Sequence, residues 1–314
     1  MNFADIRLKI RKFIKKYKKL LIILLIWLAI FIVNFMIKNK KTPDVPSTTY
    51  EPNKTVMDNE EVPQKLQEPI NELIGKYVEY CNAKDYENAY NLIEESCRKN
   101  VYPDFETYKK QIDTIFNGYK IYNIQSYSIV GDDYIYNVRI LEDILATGMT
   151  DSGYSYYEDK FVIKNTKNGL KLCLGGYIGE YELDSVAEEQ YLKFNCLSKV
   201  VKYDSETYEI KVTNRSEYPI VLYDGSGQQE VTLNIGDQER NVSYTDYSVV
   251  VLQPKQTRTF KFEFTKYYDD GRTAQKINFN SIRVLNSYQE YQANKEEALK
   301  NAVKLYGLEI DLKS

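Results

Sequence analysis

The chain predicts an α+β fold held outside a single membrane-spanning helix, continued by an all-β domain and closed by a C-terminal helix. Three observations lead there. Leu20–Ile37 is an eighteen-residue apolar run whose one polar member is Asn34. From Ile70 to Cys81 the apolar residues recur at helical spacing, and from Thr207 onward they alternate with a period of two.

The membrane helix comes first. At about 1.5 Å per residue the run 20–37 extends roughly 27 Å, enough with its flanks to cross a hydrocarbon core of about 30 Å. Fourteen of its positions are Leu, Ile, Phe or Val, each of which favours insertion. Residues 1–19 carry eight basic side chains against Asp5 alone. That balance places the N-terminus in the cytoplasm and lays the basic segment against anionic lipid. No small-residue cleavage site follows the run, so an uncleaved anchor is expected, with the chain after Lys38 extracytoplasmic.

Composition narrows the rest. The whole chain is −3 and residues 1–19 are +7, which leaves −10 on residues 20–314. An exterior this acidic is poorly suited to phosphate backbones, and nucleic acid is not an expected partner. The chain has no histidine, which removes Ser-His-Asp triads, Cys-His dyads, imidazole bases and His-ligated zinc. Its four cysteines, Cys81, Cys97, Cys173 and Cys196, lack C-x-x-C spacing and read as buried free thiols; Cys81 with Cys97 is the local candidate for a disulfide.

Residues 38–67, with Pro43, Pro46, Pro52 and Pro63 among polar neighbours, read as a linker. Helices follow: Ile70, Leu73, Ile74, Tyr77, Val78 and Cys81 make one apolar face, with Pro69 in the first turn. Asp85 caps a second helix with Tyr86, Ala89, Tyr90, Ile93 and Cys97 inward, and Pro103-Asp104 starts a third that ends at Asn117-Gly118. Strands Ile121–Val130 and Tyr134–Leu141 turn at Gly131-Asp132-Asp133. Strands Lys160–Lys164 and Leu170–Leu174 turn through Asn168-Gly169. Tyr177–Glu189 reads as a polar connection. Beyond it short alternating strands end in the aromatic face Phe260, Phe262, Phe264, and Tyr288–Tyr306 reads as a helix stopped by Gly307.

The segments "INELIGKYVEYCNAKDYENAYNLI", "PDFETYKKQI" and "EDKFVIKNTKNGLKLCLGGY" resemble the nuclear transport factor 2-like (SnoaL-like) cone, three helices on a curved antiparallel sheet. "VTNRSEYPIVL" and "VLQPKQTRTFKFEF" resemble immunoglobulin-like modules of bacterial surface proteins. The expected organisation is therefore a basic segment 1–19, a membrane helix 20–37, a linker 38–67, a cone-shaped α+β domain 68–178, an immunoglobulin-like sandwich 190–286, and a C-terminal helix and tail 287–314. A basic tail, one span and an external cone are similar to assembly components of conjugation and secretion channels. That resemblance implies contact with other envelope proteins and self-association.

Chemistry is thinly signposted. Enzymes on the cone fold place carboxylates and tyrosines in an apolar pocket, so the resemblance offers Glu142, Asp143, Glu158 and Asp159 with Tyr136, Tyr156 and Tyr157. Adjacent pairs such as Glu142-Asp143 point to opposite faces of a strand, and solvated strand ends are the plainer reading. Asp224-Gly225-Ser226-Gly227 has some of the look of a calcium loop but only one acid, which makes an ordinary turn the better reading. No nucleotide, zinc or nucleophile-elbow motif is present. The expectation is thus a non-enzymatic membrane protein that displays interaction domains, with no catalytic, cofactor-binding or metal residue nominated. A hydratase- or isomerase-like enzyme in the cone pocket and a cell-wall glycan-binding module are the alternatives.

Overall fold

The computed structural model describes residues 53–54, 61–142, 156–225, 230–266 and 273–312. The basic segment 1–19, the apolar run 20–37 and most of the linker lie outside them, as do Asp143, Ser226 and Gly227. Met1–Val45 forms one unit, outside the described residues, and Pro46–Ser314 a second.

Of the described residues 52% lie in strands and 24% in helices. This corrects the expected fold class. The described residues are mostly antiparallel sheet with six helices, and nothing among them identifies a nuclear transport factor 2-like cone or an immunoglobulin-like sandwich. Among the described residues no helix is long and apolar enough to cross a membrane.

Chain order starts with a two-residue strand, β1 (Asn53–Lys54), followed by helices α1 (Gln64–Asn82), α2 (Tyr86–Leu92), α3 (Glu95–Val101) and α4 (Phe105–Ile115). On α1 the six periodic residues Ile70, Leu73, Ile74, Tyr77, Val78 and Cys81 are all buried. Burial of each aliphatic side chain contributes about 1.5–3 kcal/mol, which outweighs the weak propensity of an isolated helix. Pro69 falls inside α1, since the helix begins five residues earlier at Gln64. Asp85 accepts from the Asn88 N–H at 3.3 Å and caps α2, while Asp104 accepts from Thr107 at 2.7 Å and caps α4.

The helix expected from Tyr86 to Cys97 is two helices. Ile93 turns extended (φ −79°, ψ 138°) and bridges Leu172 in parallel. Glu94 then donates its N–H to Leu172 O at 2.8 Å and caps α3 with its carboxylate. A sheet edge needing hydrogen bonds has overridden the helical period.

Strands β2 (Lys120–Val130), β3 (Asp133–Glu142), β4 (Tyr156–Thr166) and β5 (Gly169–Cys173) form a sheet in the order β1-β2-β3-β4-β5, antiparallel except for β1 on β2. Phe161 of β4 meets Tyr77 of α1 edge-on, with ring centroids 5.6 Å apart, which fixes the helix-covered face. Cross-strand pairing puts Tyr136, Val138 and Ile140 on that face with Phe161, Asp159 and Tyr157.

The polar stretch read as a connection is strand β6 (Tyr177–Glu188). With β7 (Leu192–Lys202), β8 (Ser205–Asn214), β9 (Ile220–Tyr223), β10 (Val231–Ile235), β11 (Gln238–Thr245), β12 (Val250–Leu252), β13 (Thr257–Thr265) and β14 (Ala274–Val284) it builds one sheet, ordered β12-β9-β14-β10-β11-β13-β8-β7-β6. The sheet's two halves join at β11. The first half of this strand pairs with β10 through Gln238–Asn241 and its second with β13 through Val242–Thr245, with a register shift between Val242 and Tyr244. A bulge of this kind bends a strand without breaking its pairing. The sheet thereby brings Phe194 and Phe262 against Phe279, at centroid distances of 4.7 and 5.3 Å, around a core from both halves.

The closing helix is also corrected. Residues 288–300 form α5 (Tyr288–Ala293) and α6 (Lys295–Lys300), separated by Asn294, whose side chain caps α6. Residues Lys304–Asp311 are strand β15, paired antiparallel with β14. Leu308 packs on the core with Tyr306 and Leu312, and Ile310 is fully buried, an alternation that suits a strand.

Candidate functional site

Of the carboxylates and tyrosines singled out by sequence, only Glu158 and Asp159 border one cleft, and they leave opposite sides of β4. Residues of alternate parity on β4 face opposite ways, so Asp159 and Tyr157 lie on the helix-covered face with Tyr136, while Glu158 and Tyr156 lie on the other. Glu158 accepts from Asn137 Nδ2 at 2.8 Å and from Arg139 Nε at 2.9 Å. The Asn137 bond, then the guanidinium, hold its carboxyl below the usual range. Arg139 in turn lies over the Tyr156 ring, 4.3 Å from its centroid. Glu142, at the end of β3, is ion-paired at 3.0 Å to Lys120, a lysine with little exposure. Asp143 lies outside the described residues.

Asp159 and Glu158 are the candidates that border a concave site. A cleft of about 260 Å³ is lined by Asn137, Glu158, Asp159, Lys160, Gly175 and Asp204. It forms where β4 passes beyond the end of β5. Gly175 and Gly176 carry the chain away with φ of +61° and +66°, values that favour glycine. At Gly176 a Cβ would come within 3.2 Å of Tyr203 Cβ, so a side chain there would press the β7–β8 turn outward. The Tyr203 N–H donates to Gly176 O at 2.8 Å, and Lys160 Nζ reaches Asp204 at 2.9 Å. Four segments distant in sequence are locked together here.

Asp159 Oδ1 accepts from the Lys160 N–H at 2.7 Å and from the Gly175 N–H at 3.0 Å. The residue keeps partial exposure, yet its carboxyl is enclosed, and burial pushes it up to about 6 despite those donors. Asp204 adds to the rise and Lys160 opposes it. Tyr157 is raised to about 12 by burial, with the Asp159 charge contributing. A carboxyl of this kind exchanges a proton near neutrality, but both short contacts are to backbone N–H groups, that of Lys160 in β4 and that of Gly175 in the turn. Its evident work is to hold Gly175 in place.

Beneath the helices Tyr77, Tyr108, Phe116 and Phe161 are fully or almost fully buried. The Tyr77 and Tyr108 hydroxyls lie near one another and near the Cys81 thiol, close enough to interact electrostatically, although neither hydroxyl meets hydrogen-bond geometry. Burial raises Tyr77 and Tyr108 well above the ordinary tyrosine value and pushes the Cys81 thiol up to about 12.

The loop at Asp224 is an ion-paired hub. The Asp224 side chain is wholly buried, with Arg283 at 3.6 Å and Lys295 at 3.8 Å. Lys295 also donates to Asp224 O at 3.1 Å, and Glu230 accepts from the Asp224 and Gly225 N–H groups at 3.0 and 3.2 Å. The Glu230 carboxyl, itself buried, lies beside Asp224 and is raised above the usual range chiefly by burial, so the loop sets two carboxyls against two cations. No cluster of three or more metal-ligating side chains occurs among the described residues. All four cysteines are free and buried.

Sequence reasoning found Asp159 but not Gly175, Lys160 or Asp204, which make its surroundings. The Gly175-Gly176 doublet after a strand was the available signal, since paired glycines mark a turn with positive φ. The meeting with Tyr203-Asp204 had none. Comparison of the chain with known protein families, curated proteins and solved structures returns no significant match.

Proposed function

We propose that this chain is a non-enzymatic, single-pass membrane protein that presents the part after Lys38 outside the cell membrane for contact with other envelope proteins. Attachment rests on the apolar run 20–37 and its basic flank. One observation carries the contact role. Exposed tyrosines are backed by cations: Tyr156 by Arg139 at 4.3 Å, Tyr247 by Arg258 at 4.5 Å and Tyr181 by Lys199 at 5.6 Å. Tyrosine and arginine dominate binding hot spots, because a ring brings a large area at low rotamer cost and a guanidinium adds directed donors. Self-association beside a conjugation or secretion channel is the specific form of this reading, in keeping with the short basic tail and single apolar run.

Crosslinking the full-length protein in native membranes tests it. Adducts with envelope proteins or with a second copy are expected, reduced by Tyr156→Ala with Arg139→Ala and by Tyr247→Ala with Arg258→Ala. Recovery of monomers alone overturns the contact role. Protease added to intact cells is expected to digest the C-terminal part; a protected C-terminal part overturns the placement.

A hydratase- or isomerase-like enzyme is the second reading, favoured by the raised Asp159 carboxyl beside Tyr157. The size of the cleft at Asp159 weighs against it, at about 260 Å³, below the roughly 300–1,000 Å³ usual for small-ligand sites.

A further inference from the structure

We infer that Cys97 and Cys173 are a latent disulfide pair, joined when the chain folds in the presence of a disulfide-bearing oxidant. Of the four thiols, Cys97 meets the backbone immediately beside Cys173: its Sγ accepts from the Leu174 N–H at 3.3 Å and lies 4.0 Å from Leu174 O. The two thiols are close enough to interact electrostatically. Standard backbone dimensions put the Leu174 nitrogen about 2.4 Å from Cys173 Cα, so Cys97 Sγ lies within about 6 Å of that Cα. That proximity puts the two side chains within reach of each other for a disulfide once they turn together.

The approach is fixed by backbone rather than by chance packing. Ile93 bridges Leu172, and the Glu94 N–H donates to Leu172 O at 2.8 Å, which pins the start of α3 to the edge of β5. Glu94 then caps the same turn by accepting from the Cys97 N–H at 3.0 Å. The ionisable groups nearest the two sulfurs are Glu94, Lys164 and Tyr177. Cys81 packs instead against Tyr77 and Tyr108, and Cys196 lies in the core of the ten-stranded sheet. The pairing of Cys81 with Cys97 expected from proximity in sequence is not the one the fold prepares.

The chemistry is two exchanges. One cysteine thiolate attacks an external disulfide RS–SR, forming a mixed disulfide and releasing one RS⁻. The second cysteine thiolate then attacks the cysteine sulfur of that mixed bond, closing Cys97–Cys173 and releasing the other RS⁻. The cysteines lose two electrons and two protons, and RS–SR becomes two RSH. Both sulfurs are fully buried in the finished fold, so the exchange belongs to folding, before α3 closes on β5. Supply of such an oxidant in the cell rests on the extracytoplasmic placement; the pairing itself does not.

Refolding the reduced, denatured full-length chain in detergent with a glutathione disulfide/glutathione mixture tests the chemistry without reference to location. After alkylation and digestion without reductant, mass spectrometry is expected to find peptides holding residues 97 and 173 linked, two hydrogens lighter than the free pair, with Cys81 and Cys196 alkylated. The oxidised form is expected to melt about 5–15 °C above the reduced form. In Cys173→Ala the link and the redox-dependent difference in Tm disappear; in Cys81→Ala both persist. Alkylation of all four thiols after oxidative refolding overturns the inference, as does a Cys81–Cys97 link. A protected C-terminal part in the protease experiment would remove the cellular oxidant while leaving this result untouched.

Discussion

The five-stranded half and the ten-stranded half solve the same packing problem with different aromatics. Beneath α1 and α4 the large buried rings are mainly tyrosines: Tyr77, Tyr102 and Tyr108, with Phe161 among them. Between the faces of the larger sheet they are mainly phenylalanines: Phe194, Phe260, Phe262, Phe264 and Phe279. Tyr208, the tyrosine fully buried in that second core, places its hydroxyl on Glu206 at 2.7 Å, whereas the Tyr77 and Tyr108 hydroxyls are without such a bond. An aromatic core gains its stability from ring area, and a hydroxyl adds to it only where an acceptor waits. For these core tyrosines the smaller half thus carries a polar cost that Tyr208 avoids, although the larger half leaves Asn195 Oδ1, Asn278 Oδ1 and the Tyr291 hydroxyl without a hydrogen bond.

Removing ring area from the larger half gives the largest expected effect. Phe279 touches both Phe194 and Phe262, so Phe279→Ala is expected to cost about 3–5 kcal/mol in chemical denaturation. A loss under 1 kcal/mol would show that the core is not the seam described here. Next comes Asp159. Its folded-state carboxyl titrates at about 6, above the ordinary value of 3.8, so the fold favours the protonated form. Its stabilising contribution is complete below pH about 4 and is lost as pH rises through about 6. Asp159→Asn, which retains an acceptor for the Gly175 N–H, is therefore expected to gain about 1–2 kcal/mol at pH 7.5 and nothing at pH 4. Equal effects at both pH values would mean the carboxyl is not shifted. The smallest effect sharpens the comparison itself. Tyr108→Phe is expected to be neutral or to stabilise by up to about 1 kcal/mol, and Tyr208→Phe to cost about 1 kcal/mol. The same sign for both would erase the distinction between the two cores.

Legibility in the sequence followed the range of the interactions. The inner face of α1 and the caps Asp85 and Asp104 are local facts, set within a few residues, and each could be read from spacing. The break at Ile93 answers to Leu172, seventy-nine positions away, and no local pattern announces it. At the C-terminus helix-favouring Glu, Ala and Lys drew the reading toward one long helix, although Tyr306, Leu308, Ile310 and Leu312 alternate as a strand does. Propensity yielded there to pairing with β14. The site divided the same way. Asp159 was visible as a carboxylate in a strand, while its enclosure depends on the Gly175-Gly176 turn and on Asp204, which only the tertiary fold brings near.

The dual allegiance of β11 has a consequence for how the molecule comes apart. Gln238–Asn241 and Val242–Thr245 belong to one ribbon gripped by different neighbours, so neither flank of the large sheet peels away while that ribbon stays zipped. Amide protons along it are expected to exchange last, at the rate of whole-molecule opening. A pulling force on this sheet would then meet a body that yields all at once rather than strand by strand.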